Sequence, residues 1–270
     1  NVFYVAKDGN DENNGTSLTS PFKTISKAAS LMSSGDICYI RQGNYHESVT
    51  IDNLNGSSGS AIIFTNYNSE RVVMDGTIPI NSMWTQVGSS NIWRTKLTSD
   101  IWQLFIDWEE QVMARWPNAK FNDDTIWDND NYWAKGTIDD DSDAYSNGTL
   151  IDKPFTNSQG TNIDLSSTGF DLDESNKQAI SILNLGSFRT WSRIVTNHSG
   201  NTFNYSTVPN WKTKHHYYYL EGRREFLDQN GEWWYDTYNS QDSLYYYSES
   251  GVNPNKLEFR GKVQSYAFTI

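Results

Sequence analysis

The feature that most constrains this chain is its punctuation. ICYI, SVTI, AIIFTNY and RVVMDG are short runs rich in β-branched and aromatic residues, with Gly, Asn and Ser turn clusters between them. They recur at roughly ten- to fifteen-residue intervals, which suits a sandwich, a barrel or a solenoid. One early segment departs from this pattern. PFKTISKAASLM places apolar residues at Phe22, Ile25, Ala28, Ala29 and Met32, a helical spacing, and Pro21 suits a first helical turn.

Residues 81–210 have a different texture. WTQVGSSNIWRTKL, DIWQLFIDWEEQVMARWPN and AISILNLGSFRTWSRIVTNHSG read as antiparallel strands joined by tight turns. In IWQLFID, Trp102, Leu104 and Ile106 alternate with Ile101, Gln103, Phe105 and Asp107. A polar segment at about 118–176 is too long for a structureless loop, so it is expected to hold structure or line a cleft.

The 270 residues allow one large all-β domain, or one with an insertion. The net charge of −12 argues against a nucleic-acid partner, which needs a basic footprint. A polyanionic ligand would need a local basic patch within that acidic whole. The single cysteine, Cys38, excludes an internal disulfide framework and reads as a small buried hydrophobe. No apolar run approaches the ~20 residues of a membrane span. NVFYVAKDGND begins directly in strand-like sequence, so either a signal peptide has been removed or the protein is cytosolic. Aromatics form 14% of the chain, against roughly 8–9% in ordinary composition. Some of that surplus can be core. Trp and Tyr also offer flat faces on which sugars stack.

The motifs themselves carry a resemblance. FYVAKDGNDENNGTSLTSPFKTISKAASLMSSGDICYIRQGNYHESVTI resembles the N-terminal cap and first coils of right-handed parallel β-helix carbohydrate-active enzymes, both glycoside hydrolases and polysaccharide lyases. QLFIDWEEQVMARWPN resembles the opening of a β-domain inserted in that family, and HYYYLEGRREFLDQNGEWWYD and SLYYYSESGVNPNKLEF resemble its later signature and hairpin. The resemblance implies an all-β chain in three parts: a capping helix and first coils over 1–80, an inserted antiparallel β-domain with a long acidic loop over 81–210, and a return to the β-helix over 211–270. Ile37, Tyr39, Val49, Ile51, Ile62, Phe64, Val72 and Met74 would face inward. GKVQSYAFTI resembles the start of the family's repeated coils, which implies that the chain is the N-terminal part of a larger secreted enzyme, extracellular or periplasmic. The family's catalytic groups commonly sit on those coils, which the resemblance would put beyond Ile270.

The candidate site residues follow from residue chemistry. Arg223 and Arg224 stand where the family is usually small or apolar, and with Lys212, Lys214, His215 and His216 they form the one dense basic cluster. Arg forks hold carboxylate or sulfate groups, so a subsite for an anionic sugar is expected; a solvated Arg pair beside Glu225 and Asp228 is the plainer alternative. REFLD reads as one helical turn and QNG as a tight turn, with Phe226, Leu227 and one of Trp233 and Trp234 in the core. Strand alternation sets Tyr217 and Tyr219 opposite Tyr218, and Trp233 opposite Trp234. Glycoside hydrolysis needs two carboxyl groups. NDDTIWDNDNYW offers Asp123, Asp124, Asp128 and Asp130 among Trp127, Tyr132 and Trp133, while IDDDSDAY offers Asp139, Asp140, Asp141 and Asp143. Carboxylates at this density also suit Ca²⁺, although neither run fits an EF-hand and no cofactor is required. The catalytic candidates are therefore Asp124, Asp128, His215, Glu221 and Asp236. The substrate-binding candidates are Trp127, Trp133, His215, His216, Tyr217, Tyr219, Arg223, Arg224 and Trp234. Three readings stay open: hydrolysis of an acidic, possibly sulfated polysaccharide such as an algal fucan or carrageenan, β-elimination by a lyase on the same scaffold, and a non-catalytic carbohydrate-binding module. Oligomeric state is not legible.

Overall fold

A computed structural model describes residues 1–52, 55–136, 148–175, 177–184, 189–208, 217–236 and 243–269. The fold is all-β, with two α-helices among the described residues, of five and four residues. Among the described residues no helix is long and apolar enough to cross a membrane. The chain divides into two compact units, Asn1–Ile78 with Gly261–Ile270, and Pro79–Arg260.

In the first unit the strands Val2–Val5, Ile37–Ile40 and Ile63–Asn66 pair in parallel. Gly43–Tyr45 pairs in parallel with Val72–Met74, and Val49–Thr50 with Phe268–Thr269. The helix Ile25–Ala29 is shorter than its apolar spacing suggests. Thr24 caps it by accepting the Lys27 N–H at 3.1 Å, which leaves Pro21 outside the first turn. The Glu47 carboxylate accepts the free Ile25 and Ser26 N–H groups, both at 3.0 Å. Asp11, from the turn cluster, accepts the Lys23 and Thr24 N–H groups at 2.8 and 2.9 Å. All five apolar residues of the helical pattern are buried.

The strand Ile37–Ile40 corrects one expectation. Cys38 and Ile40 are buried, whereas Ile37 and Tyr39 are only half-buried. ICYI is apolar at every position, so alternation alone cannot say which pair faces inward, and a one-residue slip exchanges the faces. Tyr39 instead stacks on Tyr4 at 5.8 Å and meets the edge of Tyr67 at 5.8 Å. Val49 is buried, and Ile51, Ile62, Phe64, Val72 and Met74 pack half-buried against the same core. Burial pushes the Cys38 thiol up to about 12, as suits an inert core residue.

The second unit is antiparallel. One sheet runs in the order Arg115–Trp116, Tyr217–Glu221, Ile180–Asn184, Thr190–Ser199, Thr202–Tyr205, Thr149–Ile151, with Ala134–Lys135 also paired to Tyr217–Glu221. Another joins Trp233–Asp236, Ser243–Tyr247, Ile92–Lys96 and Thr85–Gln86. Leu183, Tyr218 and Leu220 from the first sheet share a core with Trp234 and Tyr245 from the second, and with Phe226 and Leu227. The expected right-handed parallel β-helix is not evident: among the described residues the sheets are mostly antiparallel and none repeats as a solenoid. Tight turns such as Gly200, at φ 62 between paired strands, return the chain beside itself and so make antiparallel neighbours.

Within this unit the polar segment holds short elements, including Thr125–Trp127, Asn129–Tyr132 and Leu165–Ser167. In IWQLFID, Leu104 and Ile106 share a buried face while Phe105 faces the other way, but Trp102 is exposed because the strand begins only at Leu104. Arg224–Phe226 forms one 3₁₀ turn, and Gly231 takes φ 93 at the QNG turn. The strand Tyr217–Glu221 alternates fully: Tyr218 and Leu220 are buried, and Tyr217, Tyr219 and Glu221 face the other way.

Tyr218 anchors that strand. Its hydroxyl donates to a buried Asp152 oxygen at 2.6 Å, and the other Asp152 oxygen accepts the Leu165 N–H at 3.0 Å. Burial raises the Asp152 pKa, and these two donors pull it back. Tyr218→Phe should therefore leave the buried carboxylate a donor short and cost about 1–3 kcal/mol in chemical denaturation. Unchanged stability would show that the bond contributes nothing net.

Candidate functional site

The outward face of Tyr217–Glu221 carries the site. Across the antiparallel pair Glu221 stands opposite Arg115, so the two side chains share that face. Arg115 is 1% exposed. Its Nε donates to the Pro117 carbonyl at 2.9 Å and its Nη2 to the Tyr132 carbonyl at 3.0 Å. The guanidinium lies 3.8 Å from the Tyr219 ring centroid and 5.7 Å from that of Trp133. Trp133 meets Tyr219 edge-on at 4.8 Å and donates to the Ile126 carbonyl at 3.3 Å.

Arg115, Tyr219 and Glu221 line a cavity of about 230 Å³ together with Trp102, Glu110 and Trp233. A smaller cavity of about 70 Å³ shares Glu110, Gln111, Val112 and Phe121 with it. Trp102 is 50% exposed and Trp127 71% exposed; Trp127 packs its ring edge on Phe121 at 6.3 Å. Two flat rings are thus open to solvent, Trp102 in the lining of the larger cavity and Trp127 against Phe121, which also lines it.

The electrostatics of this face follow from burial. Burial lowers the Arg115 pKa to about 10, and the nearby Tyr219, Glu221 and Glu232 oppose that shift. Burial raises the Glu221 carboxyl, with Arg115 pulling it back. Tyr219 is pushed up to about 12, by burial and then by Glu221. Glu110 accepts the Gln103 amide at 2.6 Å.

Glu232 is fully buried. One of its oxygens accepts the N–H groups of Asp228 at 3.0 Å and Gln229 at 2.9 Å, and the other accepts the Arg115 N–H at 3.5 Å. It thereby ties the QNG turn to the Arg115 strand. Burial raises its pKa to about 7 against the pull of those N–H donors.

Other candidate residues gather at a second cavity of about 200 Å³, lined by Arg223, Arg224, Trp234 and Asp236 with Glu174 and Lys177. Arg223 is 5% exposed and already engaged. It donates to Glu174 at 3.0 Å, to Glu225 at 2.7 Å and to the Lys177 carbonyl. Arg224 is exposed, with its guanidinium 4.9 Å from the Tyr245 ring centroid. Trp234 is buried and donates to the Gly222 carbonyl at 3.1 Å, while Asp236 is also buried.

The acidic run of the polar segment is bound up locally. Asp124 adopts a left-handed conformation before Thr125–Trp127 and makes no capping bond. Asp128 caps Asn129–Tyr132, accepting the Asn131 N–H at 3.2 Å. Asp130 accepts the Tyr217 hydroxyl at 2.6 Å, a bond that with burial raises Tyr217 to about 12. Neither Asp124 nor Asp128 lines either of the two larger cavities. Among the described residues no group of three or more His, Cys, Asp or Glu side chains is placed to hold a metal ion. His215, His216, Lys212 and Lys214 lie outside the described residues, as do Asp139, Asp140, Asp141 and Asp143.

The structure therefore brings Trp133, Tyr219 and Glu221 together on one face, and Arg223, Arg224, Trp234 and Asp236 at another place. Sequence reasoning passed over Arg115, Trp102 and Glu110. The signal for Arg115 was its position in ARWPN, a cation flanked by apolar residues in a strand register.

No protein-family profile matches this chain. A stretch of 79 residues is 37% identical to Uncharacterized protein YwoF of Bacillus subtilis (strain 168), covering 29% of this chain and 16% of that protein. The fold is similar to a solved glycoside hydrolase, at a TM-score of 0.65 and 18% identity, over 98% of this chain and 46% of that one. A structure of XylC with xylose aligns at a TM-score of 0.48 and 16% identity, over 99% of this chain and 32% of that one. The chain thus spans less than half the length of these proteins. At such identities the structural likeness concerns the fold.

Glu232 predicts a pH dependence. Its ordinary value is 4.5, so between about 4.5 and 7 the unfolded chain has released a proton that the folded chain keeps. Its contribution to stability is full below the lower value and is lost as pH climbs through the upper one, by up to roughly 3 kcal/mol. Glu232→Gln does not titrate. The unfolding free energy of the wild type relative to this variant should therefore fall between about pH 5 and about pH 8. A constant difference would mean that the buried carboxyl is already ionised at the lower pH.

Proposed function

We propose that this chain is part of a carbohydrate-active protein of the glycoside hydrolase type, and that the cavity around Arg115, Tyr219 and Glu221 holds a glycan. The observation that carries this reading is the composition of that cavity: the exposed ring of Trp102 beside two carboxyl groups, Glu110 and Glu221, and the Arg115 donor. Sugars present apolar C–H faces and dense hydroxyls, and this lining matches both. The fold shared with a glycoside hydrolase supports the reading by analogy. In this reading the parallel strands of the first unit are the first coils of a β-helix, and a polysaccharide substrate puts the site of action outside the cell.

Glu221 is the carboxyl suited to deliver a proton, because burial favours its protonated form, and Glu110 is the second carboxyl of the cavity. Arg223 is a weaker basis for an anionic-sugar subsite than its sequence suggested, since Glu174 and Glu225 already hold its fork.

Incubation with xylan, pectin, alginate, fucoidan and carrageenan tests the proposal. New reducing ends without the ultraviolet absorbance of an unsaturated sugar are the expected result. Trp102→Ala should weaken glycan binding about tenfold, and Glu221→Gln should keep binding while lowering cleavage by about 10² or more. Unsaturated products would replace hydrolysis by elimination, and binding without cleavage would make the region a binding module. Binding of none of these polymers would overturn the proposal.

A further inference from the structure

Among the described residues Arg115 meets no counter-charge. Its guanidinium offers five N–H donors and keeps its positive charge at neutral pH. Every group it touches is neutral: the Pro117 and Tyr132 carbonyls accept from Nε and Nη2, and the Tyr219 ring lies against its face. Nη1 is buried and has no hydrogen-bond partner among the described residues. Among the described residues no carboxylate lies within ion-pair distance of it; Glu221 and Glu232 act on it only from further away. Arg223 in the same unit is the contrast. It is similarly buried, yet two carboxylates meet it at 3.0 and 2.7 Å.

A buried cation with an unmade donor is costly unless something completes it. Arg115 lines the larger cavity, so a ligand there can supply what the chain does not. We infer that Arg115 is the anchor for an anionic group, a carboxylate or a sulfate ester, on the sugar held in that cavity. The inference rests on the reading of the cavity as a glycan site and names its substrate class. The carbonyls on Nε and Nη2 fix the plane of the guanidinium before the ligand arrives, so binding needs little reorganisation. The net charge of −12 repels anionic glycans elsewhere, so binding of an anionic sugar depends on a local cation such as Arg115.

Matched ligand pairs test this: oligogalacturonate against its methyl ester, and carrageenan oligosaccharide against its desulfated form, with affinity measured by calorimetry. In the wild type the anionic member of at least one pair should bind roughly ten- to hundredfold tighter, and the favoured pair says whether a carboxylate or a sulfate is read. Arg115→Met should abolish the preference while the neutral member still binds. Should Arg115→Met not fold, Arg224→Ala carries the test, because the exposed Arg224 lies at the other cavity and its loss should leave the preference intact. Equal binding of anionic and neutral members overturns the inference but leaves the glycan reading standing. Loss of the preference in Arg224→Ala, or its survival in Arg115→Met, moves the anion away from Arg115 and also overturns it. Binding of no member overturns both.

Discussion

The two-residue alternation of Tyr217–Glu221 sets which side of the second unit is core and which is cleft. Tyr218 and Leu220 enter a core shared by two sheets, and the Tyr218 hydroxyl is held by a buried carboxylate. With those two fixed inward, Tyr217, Tyr219 and Glu221 must face outward. Antiparallel pairing then brings Arg115 beside Glu221, and the outward Tyr219 ring receives the guanidinium. A shift of one residue would exchange the faces, burying Glu221 and exposing Leu220.

Charge on this unit is managed by burial and by local partners. Arg223 meets two carboxylates, whereas Arg115 meets only carbonyls and rings. Glu232 is buried on three backbone N–H groups and joins a turn to a strand. These groups lie at different places in the unit and do different work. Arg223 and Glu232 hold the fold together, and Arg115 keeps a donor unused.

Parts of this were legible in the sequence. The helical spacing of Phe22, Ile25, Ala28, Ala29 and Met32 marks five buried residues, although capping by Thr24 shortens the helix itself. The opposition of Tyr218 to Tyr217 and Tyr219 is legible because a strand permits only two faces. ICYI was not legible in register, since an all-apolar run carries no contrast between its faces. The dense basic stretch drew attention to Arg223, but its partner Glu174 lies 49 residues away and no local pattern signals it. Arg115 was missed for the same reason, because Tyr132 and Tyr219 reach it only through the fold. Asp124 and Asp128 stood out in the sequence by density; in the fold Asp128 serves a short local cap.

Hydroxyl-radical footprinting with a bound oligosaccharide tests the central claim most directly, that the outward face of Tyr217–Glu221 is a glycan site. Trp102 at the cavity and Trp108 at a hairpin tip are about equally exposed, at 50% and 49%, so each is an internal control for the other. The account predicts that saturating oligosaccharide protects Trp102 and leaves Trp108 as reactive as in the free protein. Protection of Trp108 with Trp102 unchanged would contradict it.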